Sequence, residues 1–503
     1  MSLKKNILAN YVSQIYVTLI GIIMVPLYLK YMGAEAYGLV GFYVMLQAWF
    51  MLLDMGLTPT LSRETARFRG GATDAVNLRH LLHTLEGIFV GVALLGATIM
   101  MVGAGYIATS WLKVQELSVV EVQHAILLMA IIVALRWVSG LYRGAVNGFE
   151  RMVWLSGFNI AIATARFVLV IPFFIYVGTS PTEFFSYQLL LTVVELLTLI
   201  IQTYRLMPKI DTSEKLPWHW QPLRGVLKFS LTIAFTSAVW VLVTQTDKLV
   251  LSKLLPLSEY AYFTLAVLVA SGIMVTSGPI SGALLPRMTK LNAEGNEADL
   301  IQLYRNATQM VALIAIPVAL ILAFFAEQVL FAWTGNEDIA HKAAQVLSLY
   351  ALGNGILALA AFPFYLQFAK GDLKLHLIGN ALFVVIFIPL LIWAASVYGM
   401  VGAGYAWVIA NLLPFIIWLP IVHRRFLKGL HTQWLLFDIG GIALPTALVA
   451  AVIFKTLTWP NERIAVLELI IITSIALCSV AITSSSWARG EIKQLIIRWN
   501  IVP

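Results

Sequence analysis

The sequence predicts an all-α polytopic membrane protein of about 14 transmembrane helices, with two six-helix lobes and two extra C-terminal helices. Three observations carry this. The 503 residues are 60% hydrophobic and 12% charged, with a mean hydropathy of +0.86, whereas a soluble chain carries about twice that charge fraction. Apolar runs of roughly 20 residues, each able to cross a hydrocarbon core of about 30 Å, recur from end to end. Loops rich and poor in Lys and Arg alternate between them.

The spans fall at 7–29, 37–57, 85–109, 122–142, 153–177, 184–204, 229–251, 259–285, 308–326, 343–368, 376–396, 401–421, 435–454 and 464–485. The first follows Lys4 and Lys5 and has no small-residue cleavage pattern behind it, so it reads as a retained span and not a signal peptide. One set of loops holds 24 Lys and Arg and the other 6; Arg136, Arg166 and Lys248 lie inside spans, which completes the 33 of the chain. The positive-inside rule then puts both termini in the cytoplasm. The same distribution accounts for the net charge of +8 without nucleic acid as a partner. The single cysteine, Cys478, excludes an intrachain disulfide.

A repeat runs through the chain at an offset near 223. Tyr142 and Gly148 recur as Tyr365 and Gly371, Leu61–Thr65 (LSRET) recurs as Leu285–Thr289 (LPRMT), Tyr37 as Tyr260, and Asn159 as Asn380. Each pair falls at a matching span boundary. The repeat divides the chain into lobes 1–215 and 216–430, followed by two additional transmembrane helices in 431–485 and a cytoplasmic amphipathic tail in 486–503. Six spans per lobe is an even number, so the halves share one orientation, the parallel-repeat pattern of transporters that rock around a midplane site.

Charges inside spans need a reason, since each costs roughly 2.5–3.5 kcal/mol on insertion scales. Arg166 lies 14 residues before Ser180 and Glu195 lies 15 after it, which puts the two at one depth on antiparallel helices. Two readings are open for this pair: a structural ion pair, or a proton- or substrate-responsive pair facing a cavity. Arg136 lies about two turns from the inner end of its span. Asp54 lies a turn from the inner end of the second span, ahead of Arg63, Arg67 and Arg69, with Thr58 expected as N-cap and Pro59 as first helical residue. Asp247 and Lys248 are adjacent and point about 100° apart on a helix, so they are not expected to face one partner. Cationic spans with arginines at their inner mouths suit an anionic substrate entering from the cytoplasm.

There is no GxxxxGK[ST] phosphate loop, no HExxH and no clustered Cys/His set, and no loop is long enough for a catalytic domain. The chain reads as a non-enzyme without cofactor, with H+ or Na+ as possible coupling ions.

The stretch LLDMGLTPTLSRETAR (52–67) resembles the second-span signature of polysaccharide flippases of the Wzx type. QTDKLVLSKLLPLSEYAYFTLA (245–266), YGMVGAGYAW (398–407) and YRGAVNGFERM (142–152) resemble that family's seventh span, eleventh turn and fourth-span exit. The resemblance implies the fold of the multidrug/oligosaccharidyl-lipid/polysaccharide exporter superfamily, with two lobes around a central cavity. It implies a multi-pass protein of the bacterial inner membrane that flips undecaprenyl-pyrophosphate-linked oligosaccharide, such as O-antigen repeat units of lipopolysaccharide, from the inner to the outer leaflet by alternating access. The implied partners are the lipid-linked oligosaccharide and membrane lipids, with a polysaccharide polymerase and a chain-length regulator beside them.

The resemblance supplies no site residues; those follow from the charges. Arg136 and Arg166 are expected to take the pyrophosphate or sugar acids, and Glu195 to be their proton-responsive partner. Asp54 is expected to hold an inner-gate arginine such as Arg63, with Asp247 and Lys248 as further gating candidates. Two alternatives remain, a cation-coupled multidrug exporter of the same superfamily and a membrane-embedded polysaccharide polymerase.

Overall fold

The structure, a computed structural model, describes residues 3–54, 56–208, 221–275 and 278–500. The lobe boundary expected at 215/216, with Lys209 and Lys215 of the same loop, lies outside these residues, as do the last three of the tail. Among the described residues there is no strand; Lys113 and Pro256 form an isolated bridge. Eleven of the described helices are long and apolar enough to cross a membrane, and Leu8–Ile23 is a shorter apolar helix. One of the eleven, Lys374–Phe426, carries both runs expected at 376–396 and 401–421 and turns between them at Gly399, whose φ of 58° needs a residue without Cβ.

Contacts divide the chain into Met1–Ala261 and Tyr262–Pro503. The internal repeat assigns the Gln221–Leu254 helix to the second half of the sequence, yet it packs with the first unit, against Val25–Phe50, Leu57–Arg69 and Ala75–Tyr106. In that unit Val119–Gly148 is the most buried of the apolar helices. It packs against Pro181–Leu206, Ala75–Tyr106 and Leu57–Arg69. Gly144 and Gly148 explain the last contact. A Cβ on Gly144 would lie 2.8 Å from the Thr58 carbonyl oxygen, and one on Gly148 would overlap the carbonyl oxygen of Ser62. Small residues four apart let two backbones touch where no hydrophobic effect drives helices together. The segments quoted from 52–67 and 142–152 are thus two faces of one helix contact.

The Leu57–Arg69 helix starts differently from the expectation. Its N-cap is Gly56, in the left-handed region, and the Asp54 carboxylate accepts from the Thr58 hydroxyl at 2.6 Å and from the Thr58 amide at 3.3 Å. A carboxylate beside the first turn serves its free amide groups better than the Thr58 hydroxyl would. Pro59 then falls in the first turn, where its missing N–H leaves no gap.

In the second unit Glu297–Phe324 packs against Glu337–Ala360, Gly441–Thr456 and Arg463–Ser484. Buried Asp438, on the π-helical stretch Trp434–Gly440, accepts from Arg305 at 2.7 and 3.1 Å and from Gln309 at 2.7 Å. The Gln309 side-chain oxygen Oε1 accepts from the Ser485 hydroxyl and the Trp487 backbone amide, which fixes the start of the Ser486–Asn500 helix of the tail.

Gly148→Ala is expected to lower the melting temperature in detergent by the equivalent of about 1–3 kcal/mol, the usual size of an overpacking strain. Gly91→Ala, where a Cβ meets nothing within 4 Å, should leave it unchanged. Equal melting of the two variants would contradict the close-packed helix contact.

Candidate functional site

Arg166 sits at a break. The Met152–Phe167 helix stops there and Val170–Tyr176 resumes after it, which frees the carbonyl groups at the end of the first segment. Such groups must be paired inside a bilayer. The Tyr187 hydroxyl donates to the carbonyl of Ala165 at 2.7 Å, and the Tyr28 hydroxyl to those of Arg166 and Phe167 at 3.1 and 3.3 Å. A guanidinium on the last turn also complements the negative end of the helix dipole.

The pairing read from the sequence is present. Arg166 Nη2 donates to Glu195 Oε2 at 2.5 Å and to the Thr192 hydroxyl at 3.0 Å. A second guanidinium, Arg143, takes the other oxygen of the same carboxylate and also reaches Asn159. Arg136 lies on the helix that carries Arg143 and donates to Gln47 Oε1 at 3.1 Å and Tyr43 Oη at 3.3 Å. Glu195 is 2% exposed and Arg166 5%. Arg166 Nε is buried without a hydrogen-bond partner among the described residues.

These groups line one cavity of about 670 Å³, wholly within the first unit. Its walls come from Leu3–Ile23, Val25–Phe50, Val119–Gly148, Met152–Phe167 and Pro181–Leu206. Among the described residues Arg136, Arg143 and Arg166 are its cations and Glu195 its carboxylate, a formal charge of +2. An excess of positive charge in a site walled by apolar helices is electrostatically complementary to an anion. Guanidiniums bind phosphate oxygens through paired N–H donors.

Of the residues expected from the sequence, the structure brings Arg136, Arg166 and Glu195 together. Asp54, Arg63, Asp247 and Lys248 are not among the lining residues. Asp54 serves Thr58, and Arg63 is exposed on the helix that follows. Asp247 and Lys248 do meet: the lysine stem curls back, placing Nζ 3.4 Å from Asp247 Oδ1 and 2.6 Å from the Thr244 carbonyl. The 100° separation of their Cβ atoms does not prevent this, because four methylene groups span it.

Arg143 was missed because its span was ended at 142, whereas the helix runs on to Gly148. The polar residues of the first helix were missed too. Asn10, Ser13 and Gln14 all line the cavity. Their signal was a helical period of polar residues inside an apolar run.

Glu195→Gln is expected to destabilise the protein by several kcal/mol, since it leaves the buried Arg166 without its carboxylate, and Arg166→Gln by less, since Arg143 still pairs with Glu195. The double variant should recover part of the loss, with a coupling of about 1 kcal/mol or more. Strictly additive melting shifts would show that the pair is not energetically linked.

A family model described as polysaccharide biosynthesis protein matches residues 3–292, and a MatE model matches 232–397. A curated protein of Shigella flexneri, described as “Putative O-antigen transporter”, is 21% identical over 416 residues, covering 82% of this chain and 96% of its own. Among solved structures, the lipid II flippase MurJ in an inward closed conformation has a TM-score of 0.70 at 14% identity, covering 97% of this chain and 99% of that one. An inward-facing MATE family multidrug resistance transporter of the MOP superfamily has a TM-score of 0.67 at 16% identity, covering 83% of this chain and 96% of that one. At those identities the likeness is one of fold, and it gives this chain the helical fold shared by these transporters. The first family match covers more than half of the 503 residues, and the chain therefore belongs to the polysaccharide biosynthesis protein family, as a multi-pass membrane protein.

Proposed function

We propose that the chain is a flippase of the bacterial inner membrane that moves undecaprenyl-pyrophosphate-linked oligosaccharide from the inner to the outer leaflet. The observation that carries this reading is the charge of the cavity. A pyrophosphate bonded to lipid on one side and sugar on the other keeps two acidic oxygens, and the cavity holds two uncompensated guanidinium charges. Arg136 and Arg166 take the pyrophosphate, with Arg143 joining them as it leaves Glu195. The O-antigen description of the Shigella flexneri relative supports the same class of cargo.

Glu195 does two jobs in this reading. With no anion bound it holds Arg143 and Arg166 in place and offsets part of their repulsion. When the anion arrives, the guanidiniums exchange one carboxylate for phosphate oxygens, and Glu195 is left to take up H+ or Na+. Outward movement of each negative charge across an inside-negative membrane releases about 2.3 kcal/mol per 100 mV. The membrane potential thus favours export with or without ion exchange, by alternating access between the two leaflets. Both termini lie in the cytoplasm, as the loop charges require, and the sequence repeat supplies two lobes, 1–215 and 216–430, to rock. A polymerase and its chain-length regulator act on the delivered units.

The MATE likeness gives the drug-exporter alternative its weight. A cavity with a formal charge of +2 repels the cationic compounds such an exporter would carry.

In liposomes with an imposed inside-negative potential, the native protein should expose labelled lipid-linked repeat units on the far leaflet, and Arg166→Ala and Arg136→Ala should slow this at least about tenfold, the loss of one charge-assisted contact. Flipping by Arg166→Ala at the native rate would remove Arg166 from the site. Transport of a cationic dye in place of the glycan lipid would favour the drug exporter.

A further inference from the structure

The first helix, Leu3–Ile23, has two unlike faces. Leu8, Val12, Ile15, Leu19 and Ile23 are all more than half exposed. At about 100° per residue they form one stripe along the helix. Asn10, Ser13 and Gln14 lie on the opposite side, and the structure places all three, with Thr18 at the flank, in the wall of the cavity. The apolar stripe suits lipid. Amide and hydroxyl groups turned to hydrocarbon would each cost several kcal/mol, so the polar face belongs to the cavity and not to the bilayer.

This face differs in kind from the rest of the cavity. The guanidiniums come from Val119–Gly148 and Met152–Phe167, and their carboxylate from Pro181–Leu206. The first helix adds no charge to the wall, but amides and hydroxyls with Val17 among them, and Gln47 adds another amide beside Arg136. Amides and hydroxyls both donate and accept, which matches the mixed donors and acceptors of sugar hydroxyl and acetamido groups, whereas a phosphate uses their donors alone. The cavity therefore has one wall for an anion and another for neutral polar groups.

We infer that the polar face of the first helix, Asn10, Ser13, Gln14 and Thr18, is the subsite that receives the sugar next to the pyrophosphate and sets which glycan is accepted. The inference rests on the flippase reading above, because it needs the pyrophosphate to be held by the arginines. Two hydrogen bonds made by Asn10 and Gln14 to the sugar account for about a tenfold gain in affinity over the unglycosylated lipid.

The test is a native mass spectrometry titration of the purified full chain with two probes, undecaprenyl pyrophosphate alone and the same lipid carrying the host's own repeat unit. The native protein should prefer the glycosylated lipid about tenfold. Asn10→Leu with Gln14→Leu should bind the bare lipid as the native protein does and lose that preference. Asn10→Ser with Gln14→Ser, a gentler change in the same helix, should lose it as well at an unaltered melting temperature. Arg166→Ala should weaken both probes alike. If both first-helix variants keep the preference, or the native protein shows none, the sugar subsite is overturned while the pyrophosphate site stands. If the native protein binds neither probe, the flippase reading fails and the subsite falls with it.

Discussion

Three guanidiniums and one carboxylate line a cavity inside a bundle of apolar helices, only two of the guanidiniums pair with that carboxylate, and much of the first unit is arranged around that imbalance. A charge at such depth is tolerated only when it is paired or faces a polar cavity. Glu195 supplies pairing for Arg143 and Arg166, Gln47 and Tyr43 give Arg136 neutral partners, and the remaining excess faces the cavity. The broken helix follows from the same constraint. Ending Met152–Phe167 beside Arg166 sets the negative end of a helix dipole at a buried cation, and Tyr28 and Tyr187 pair the carbonyl groups that the break releases. Interrupted helices with satisfied ends are the usual scaffold of midplane sites in transporters.

The helix that carries Arg136 and Arg143 also anchors the unit through Gly144 and Gly148, pressed against Thr58 and Ser62. Site and scaffold therefore share one element. The charged residues of that helix tie it down locally. Asp54 serves its first turn, Arg67 pairs with Glu64 at 3.1 Å, and Arg69 reaches Glu150 at 2.6 Å in the turn after Gly148. The Arg69 guanidinium holds the Glu150 carboxyl below the usual carboxylate range. The pair is largely exposed, so its role is to fix orientation more than to add stability.

Much of this was legible in the sequence because the relevant physics is one-dimensional. Apolar runs of membrane-crossing length give helices, and equal distances from a shared turn put Arg166 and Glu195 at one depth. Helix ends were less legible. The Val119–Gly148 helix outruns its apolar segment by six residues past 142, because packing against Thr58 and Ser62 stabilises the extra turns where hydropathy does not. That conceals Arg143. The cap at Thr58 failed for a similar reason, since a carboxylate four residues earlier competes for the same turn. Neutral cavity residues carry no charge penalty that would mark them: Asn10 and Gln14 show only a weak helical period in an apolar run, and Asn159 is marked by its place in the cavity wall. The Arg305–Asp438 pair joins positions 133 residues apart, a separation that no local pattern encodes.

The most direct test of the account is the lipid-linked glycan pool of the native host after depletion of this protein, with surface polysaccharide followed in parallel. The account predicts that single repeat units accumulate on the cytoplasmic leaflet while surface glycan falls. Single units that reach the surface unpolymerised, or a glycan left untouched, would contradict it.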